Sequence, residues 1–301
     1  MLRIFGGSVL VQIVTRAAVV LIVAGQAACG SDSEQGDKPK PTPVATSERP
    51  ATDVVNGKFD VGGHKLYVAC AGEGSPTVLY LHGAITEANT VPHRNATDIR
   101  DELSSDNRVC LYDRRNVRDS ESVDRPQRPA DVLEDLDRLL AAAEIEPPYV
   151  LLGASFGGLL SYLYLNEHPD DVVGMVLLDS PVPDELRLEH LLPATDRYIA
   201  FDKEDEQETL ERISHYRVFK AAQKYIGKEP PVPVTFLAAK QEPPEVGIPE
   251  YDRRYVDLRA SYVDRFSPGR IVNVNAPHFM EPVIPERIAK EVREIIRASD
   301  G

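Results

Sequence analysis

Continuous apolar runs and stripes of helical period alternate along most of this chain. Residues 77–81, 109–112, 149–152, 172–178, 234–237 and 271–274 are short, dominantly apolar stretches, the pattern of strands covered on both faces. Two briefer strands are expected at residues 59–61 and 65–69, joined by a turn at Gly62-Gly63. Between the runs, Val132, Leu133, Leu136, Leu139, Leu140 and Ala143 recur with helical spacing. Tyr251, Tyr255, Leu258 and Tyr262 form a second such stripe, and Ile288, Val292, Ile295 and Ile296 a third. All three read as packing faces. Alternating strands and helices predict an α/β architecture with a mostly parallel central sheet flanked by helices. One stretch breaks the alternation. Between residues 181 and 231 no strand is evident, while Leu186, Leu188, Leu191 and Leu192, then Leu210, Ile213, Tyr216 and Phe219, cluster as in helices. This insertion is expected to lie over the sheet edge as a helical cap, with its acidic run at residues 202–211 as a solvated helix face.

The first 52 residues follow other rules. Arg3 and Arg16 precede an apolar run at residues 17–25, and Ala27-Ala28 lead into Cys29, the layout of an export signal. The run is short of the roughly 20 apolar residues a spanning helix needs. Small residues before a cysteine that is followed by Gly30-Ser31 resemble a bacterial lipoprotein signal, with Cys29 as the lipidated residue. Gln26 stands where that pattern prefers an aliphatic side chain, so plain secretion stays open. Residues 30–52 are rich in Ser, Asp, Glu, Pro and Thr and read as a flexible tether. The folded domain is therefore expected over residues 53–301, held to the outer face of the cell membrane through Cys29. The 301 residues carry 34 basic and 48 acidic side chains, a formal charge of −14, which argues against nucleic acid as a partner. An exported protein can keep a disulfide, so Cys70 and Cys110 are candidates for a bridge, with two buried thiols as the alternative.

The chemistry centres on Gly153-Ala154-Ser155-Phe156-Gly157-Gly158. A Gly-x-Ser-x-Gly match carries little information by itself. Here it follows the apolar strand at 149–152 and opens an apolar helix at 159–165, the strand–turn–helix setting of a nucleophile elbow. Glycines at 153 and 157 remove side chains that would clash in a sharp turn, and Gly158 lets the helix approach the sheet. A serine hydroxyl needs a base. His278 follows the last expected strand, in a loop at the end of the sheet where such folds place their sites. His64, His93, His168, His190 and His215 have no comparable placement and read as surface residues. A carboxylate is needed to orient the base. Glu242, after the strand at 234–237, is the preferred candidate; Asp179, after 172–178, is the alternative, and Glu245 a third. The amides of Phe156 and Ala84 are the expected oxyanion donors, with Gly83 allowing close approach and His82 buttressing the loop. No metal-ligand spacing is evident, and no metal or organic cofactor is required.

These residues resemble the α/β-hydrolase family over roughly residues 59–296. The likeness rests on Leu81-His82-Gly83, Tyr112-Asp113-Arg114-Arg115, the segment around Ser155, Val232-Pro233-Val234 after the insertion, and Pro277-His278-Phe279. It implies an α/β-hydrolase fold with the cap between its sixth and seventh strands. It also aligns Glu242 with the family's usual acid and sets the strands bearing Cys70 and Cys110 side by side. Ala154 stands where the family often has His, and Asn116 and Arg118 occupy positions that are normally glycine. The expected activity is serine-dependent cleavage of a carboxylic ester through an acyl-enzyme. A peptidase or amidase acting on a small-molecule amide, aminopeptidase-like, uses the same triad and stays open. An epoxide hydrolase or dehalogenase of this fold would need Asp at position 155. A non-catalytic surface protein on the same fold is the rival from another class.

Overall fold

A computed structural model describes residues 53–85, 96–241 and 247–299. The expected signal, Cys29, the tether, His93, Glu242 and Glu245 lie outside the described residues. Among the described residues, eight strands form one sheet in the order β1-β2-β4-β3-β5-β6-β7-β8. They are β1 (Asp53–Asp60), β2 (Lys65–Ala71), β3 (Thr77–Leu81), β4 (Val109–Asp113), β5 (Tyr149–Ala154), β6 (Val172–Leu178), β7 (Val234–Ala239) and β8 (Gly269–Val274). β1–β2 and β2–β4 pair antiparallel, and the remaining pairs are parallel. The central strands β3, β4 and β5 are buried throughout, which is why they show apolar runs rather than alternation. β1 is longer than the sequence pattern suggested, because at the sheet edge its side chains alternate between partly buried and exposed over residues 54–60.

Helices cover both faces: α1 (Thr97–Leu103), α2 (Pro129–Ala142), α3 (Phe156–Glu167), α4 (Asp202–Glu208), α5 (His215–Ala222), α6 (Pro249–Val263) and α7 (Pro285–Ser299). α2 and α3 pack into one core with Leu79, Leu151 and Phe236, while α1 and α7 pack into a second with Val78, Leu152 and Leu237. β2 and β4 place Cys70 directly opposite Cys110, and the two form a disulfide. The bridge is buried in the first core.

The insertion between β6 and β7 is less regular than its leucines implied. Residues Pro183–Leu191 form 3-10 turns, and α4 and α5 are separated by a break at Arg212, whose φ is +53°. Ile213 there bridges to Gln127. The acidic run at 202–211 is not a plain solvated face. Asp202 pairs with Arg217, Asp205 meets His215, and Glu211 is buried against Arg114.

Candidate active site

β3 lies between β4 and β5, so the chain turns opposite ways on its two sides, the switch point where open α/β sheets form a crevice. The carboxyl ends of β3, β5, β6 and β8 lead into His82–Ala84, Ser155, Asp179 and His278. Ser155 sits between β5 and α3 with φ +48°, a left-handed conformation that costs a non-glycine residue of order 1–3 kcal/mol. The neighbouring backbone fixes it there. Ser155 N–H donates to Leu178 C=O at 2.9 Å, extending the β5–β6 ladder past the strand end. A Cβ at Gly157 would collide with the carbonyls of Leu81 and His82, and one at Gly158 would strike Ser180 Oγ. One at Gly83 would stand 3.3 Å from Ser155 Cβ. The elbow therefore needs glycine at 157 and 158, while a side chain at 83 would crowd Ser155.

His278 Nε2 lies 3.0 Å from Ser155 Oγ, and its Nδ1 lies 2.8 Å from Asp179 Oδ2. The carboxylate brought to His278 is thus Asp179, the alternative in the sequence reading, while the preferred Glu242 lies outside the described residues. Asp179 also has a left-handed backbone, at φ +43°. Its N–H donates to Leu237 C=O, and its Oδ1 accepts from Ala239 N–H at 3.3 Å and from Arg259 at 2.5 Å. Burial alone would raise the Asp179 pKa. The hydrogen bond from His278 and the guanidinium of Arg259 outweigh it and hold the carboxyl below its ordinary range.

The loop after β3 is fixed from two sides. His82 is buried, and its Nε2 accepts from Arg114 N–H at 3.3 Å, the buttressing role expected of it. Arg114 donates to the carbonyls of His82 and Gly83, at 2.7 Å each, and forks onto both oxygens of Glu211. Glu211 in turn accepts from Ile85 N–H at 2.7 Å. A cap carboxylate and a buried arginine thereby hold the segment that carries Ala84. Phe156, the other expected donor, opens the twelve-residue helix α3, whose first amides lack intrahelical partners and favour negative charge.

The remaining residues singled out in the sequence divide. Asn116 and Arg118, at positions read as normally glycine, take positive φ of 68° and 30°, so the backbone keeps a glycine-like course without glycine. Of the histidines assigned to the surface, His64 is buried and His215 is only partly exposed. His64 lies against Asp135, and His215 packs at 4.4 Å on the Phe156 ring with Nδ1 on Asp205. Arg259 and Glu211 carried no sequence signal; their partners Asp179 and Arg114 stand 80 and 97 residues away in the chain. Among the described residues, no group of three or more His, Cys, Asp or Glu could hold a metal ion. No described helix is long and apolar enough to cross a membrane.

A family model described as the alpha/beta hydrolase fold matches residues 76–211. Mouse alpha/beta hydrolase domain-containing protein 10 superposes with a TM-score of 0.59 at 16% identity, covering 80% of this chain and 98% of the other. The Vigna radiata epoxide hydrolase VrEH1 gives 0.59 at 17% identity, covering 80% and 97%. The uncharacterized Bacillus subtilis protein YqjL is 32% identical over 114 residues, 38% of this chain and 43% of that protein. The chain spans less than half the length of the curated relatives it matches. The matched model, the solved structures and the strand order agree. The chain has the α/β-hydrolase fold.

Proposed function

We propose that this protein is a serine hydrolase that cleaves a carboxylic ester through an acyl-enzyme. The observation that carries this reading is the unbroken chain Ser155 Oγ–His278 Nε2, His278 Nδ1–Asp179 Oδ2, at 3.0 and 2.8 Å. His278 accepts the hydroxyl proton as Ser155 Oγ attacks the ester carbonyl, and Asp179 fixes the tautomer and stabilises the imidazolium. The amides of Phe156 and Ala84 receive the oxyanion of the tetrahedral intermediate. His278 then protonates the departing alcohol. Water, deprotonated by the same imidazole, attacks the acyl-enzyme, releasing the carboxylic acid and restoring Ser155. Serine at 155 supports ester chemistry over epoxide opening, despite the likeness to VrEH1, because the expected epoxide nucleophile is an aspartate.

The same reading places the enzyme outside the cell, anchored by a lipid on Cys29. The Cys70–Cys110 bridge supports export, since such bonds persist in oxidising compartments. A panel of p-nitrophenyl esters and matched anilides, run on wild type and Ser155→Ala, tests the activity. We expect turnover of short or medium esters that falls by about 10³-fold or more in Ser155→Ala. Anilide turnover exceeding that of every ester would shift the reading to an amidase, and no turnover of any substrate would contradict it.

A further inference from the structure

Arg259 stands on α6, one helical turn after Tyr255 of the stripe that the sequence assigned to packing. Its guanidinium lies over two aromatic rings, 4.9 Å from the Phe236 centroid and 4.8 Å from that of Tyr255. From there it donates to Asp179 Oδ1 at 2.5 Å, with both side chains almost fully buried. The two oxygens of Asp179 are thus divided, Oδ1 to Arg259 and Oδ2 to His278. A triad needs only the second contact. The first brings a permanent positive charge within one carboxylate of the catalytic imidazole, in a region poor in screening water.

We propose that Arg259 is a positioning residue for the triad, fixing the plane of Asp179 and balancing the charge that its carboxylate presents to His278. This inference rests on the reading of Ser155, His278 and Asp179 as the triad. The sign follows from charge. Asp179 attracts a proton onto the imidazole and Arg259 opposes it through the shared carboxylate, so a variant lacking the charge is expected to need a higher pH to label Ser155. The other groups near the pair do not supply this charge. Tyr255 and Tyr80 are phenols, Glu281 lies three residues beyond His278 and accepts from Tyr80, and Glu185 packs in the cap beyond Arg259.

The test is the rate of fluorophosphonate labelling against pH, which needs no knowledge of the natural substrate. It is measured on the full chain for wild type, Arg259→Gln and Arg259→Lys. Glutamine keeps a hydrogen bond to Asp179 without the charge; lysine keeps the charge without the planar fork. The acid limb of Arg259→Gln is expected to move up by about one pH unit, and that of Arg259→Lys to stay within about 0.3 of wild type. A glutamine limb that coincides with wild type overturns the proposal. Should the glutamine variant not fold, a full unit of movement in Arg259→Lys overturns it and an unmoved limb supports it, since the charge is retained there. Failure of the triad reading looks different: wild type would not label at Ser155, or Asp179→Asn would label at the wild-type rate.

Discussion

At the scale of single residues, the site is a set of side chains whose backbones accept strain so that their functional atoms converge. Ser155 and Asp179 both hold left-handed φ, and each is pinned by a hydrogen bond from its own N–H to the neighbouring strand. Ser155 was legible because its glycines sit at fixed offsets and each removes a collision. Asp179 gave no comparable signal, since an acidic residue at the end of a buried strand also serves to end it. Its role comes from His278, 99 residues onward, and from Arg259, 80 onward, contacts no local spacing encodes. Glu242→Gln and Asp179→Asn separate the two carboxylates. Asp179→Asn is expected to lower kcat by about 10³–10⁴-fold through loss of the correct histidine tautomer. Glu242→Gln should retain most of its turnover. The reverse ranking, measured by ester hydrolysis, would return the role to Glu242.

At the scale of elements, the buried strands were the most legible part of the chain. An apolar run of four to seven residues between turns has few alternatives when helical stripes flank it. The cap was legible only as an interruption. Its 3-10 turns and the break at Arg212 depend on polar contacts with the body, Arg114–Glu211 above all, which a leucine count does not reveal. The seam between the cap and α6 also holds a fully buried carboxyl. Glu185 Oε1 accepts from Tyr198 and Tyr251 hydroxyls at 2.9 and 3.0 Å, and burial pushes its pKa up to about 7 from an ordinary 4.5. The folded protein therefore keeps this proton over a window in which the unfolded chain releases it. Stability is retained below pH 4.5 and falls as pH rises from 4.5 to about 7, by at most roughly 3 kcal/mol. Asp179 acts in the opposite direction, contributing above its ordinary range and losing that contribution as pH falls. Thermal unfolding of wild type beside Glu185→Gln checks the Glu185 effect. The variant should gain on wild type between about pH 4.5 and 8, and parallel pH profiles would contradict it.

For the whole molecule, the sheet order does two things, carrying the proposed reacting groups on the ends of β3, β5, β6 and β8 and letting Cys70–Cys110 bridge β2 to β4. The proposed export rests on this bridge and on the signal expected at the start of the sequence. Intact-mass analysis of the membrane fraction tests the anchor: a mature chain beginning at diacylglyceryl-modified Cys29 is expected. A mature chain starting beyond Cys29 would mean plain secretion. The central claim is that Ser155 is a nucleophile activated by His278, and active-site labelling addresses it most directly. Full-length protein treated with a fluorophosphonate at neutral pH should gain one adduct, mapped by peptide mass to Ser155. Ser155→Ala should gain none, and His278→Ala should react at least about 10³-fold more slowly. An unlabelled wild type of native fold, or an adduct on another serine, would contradict the account.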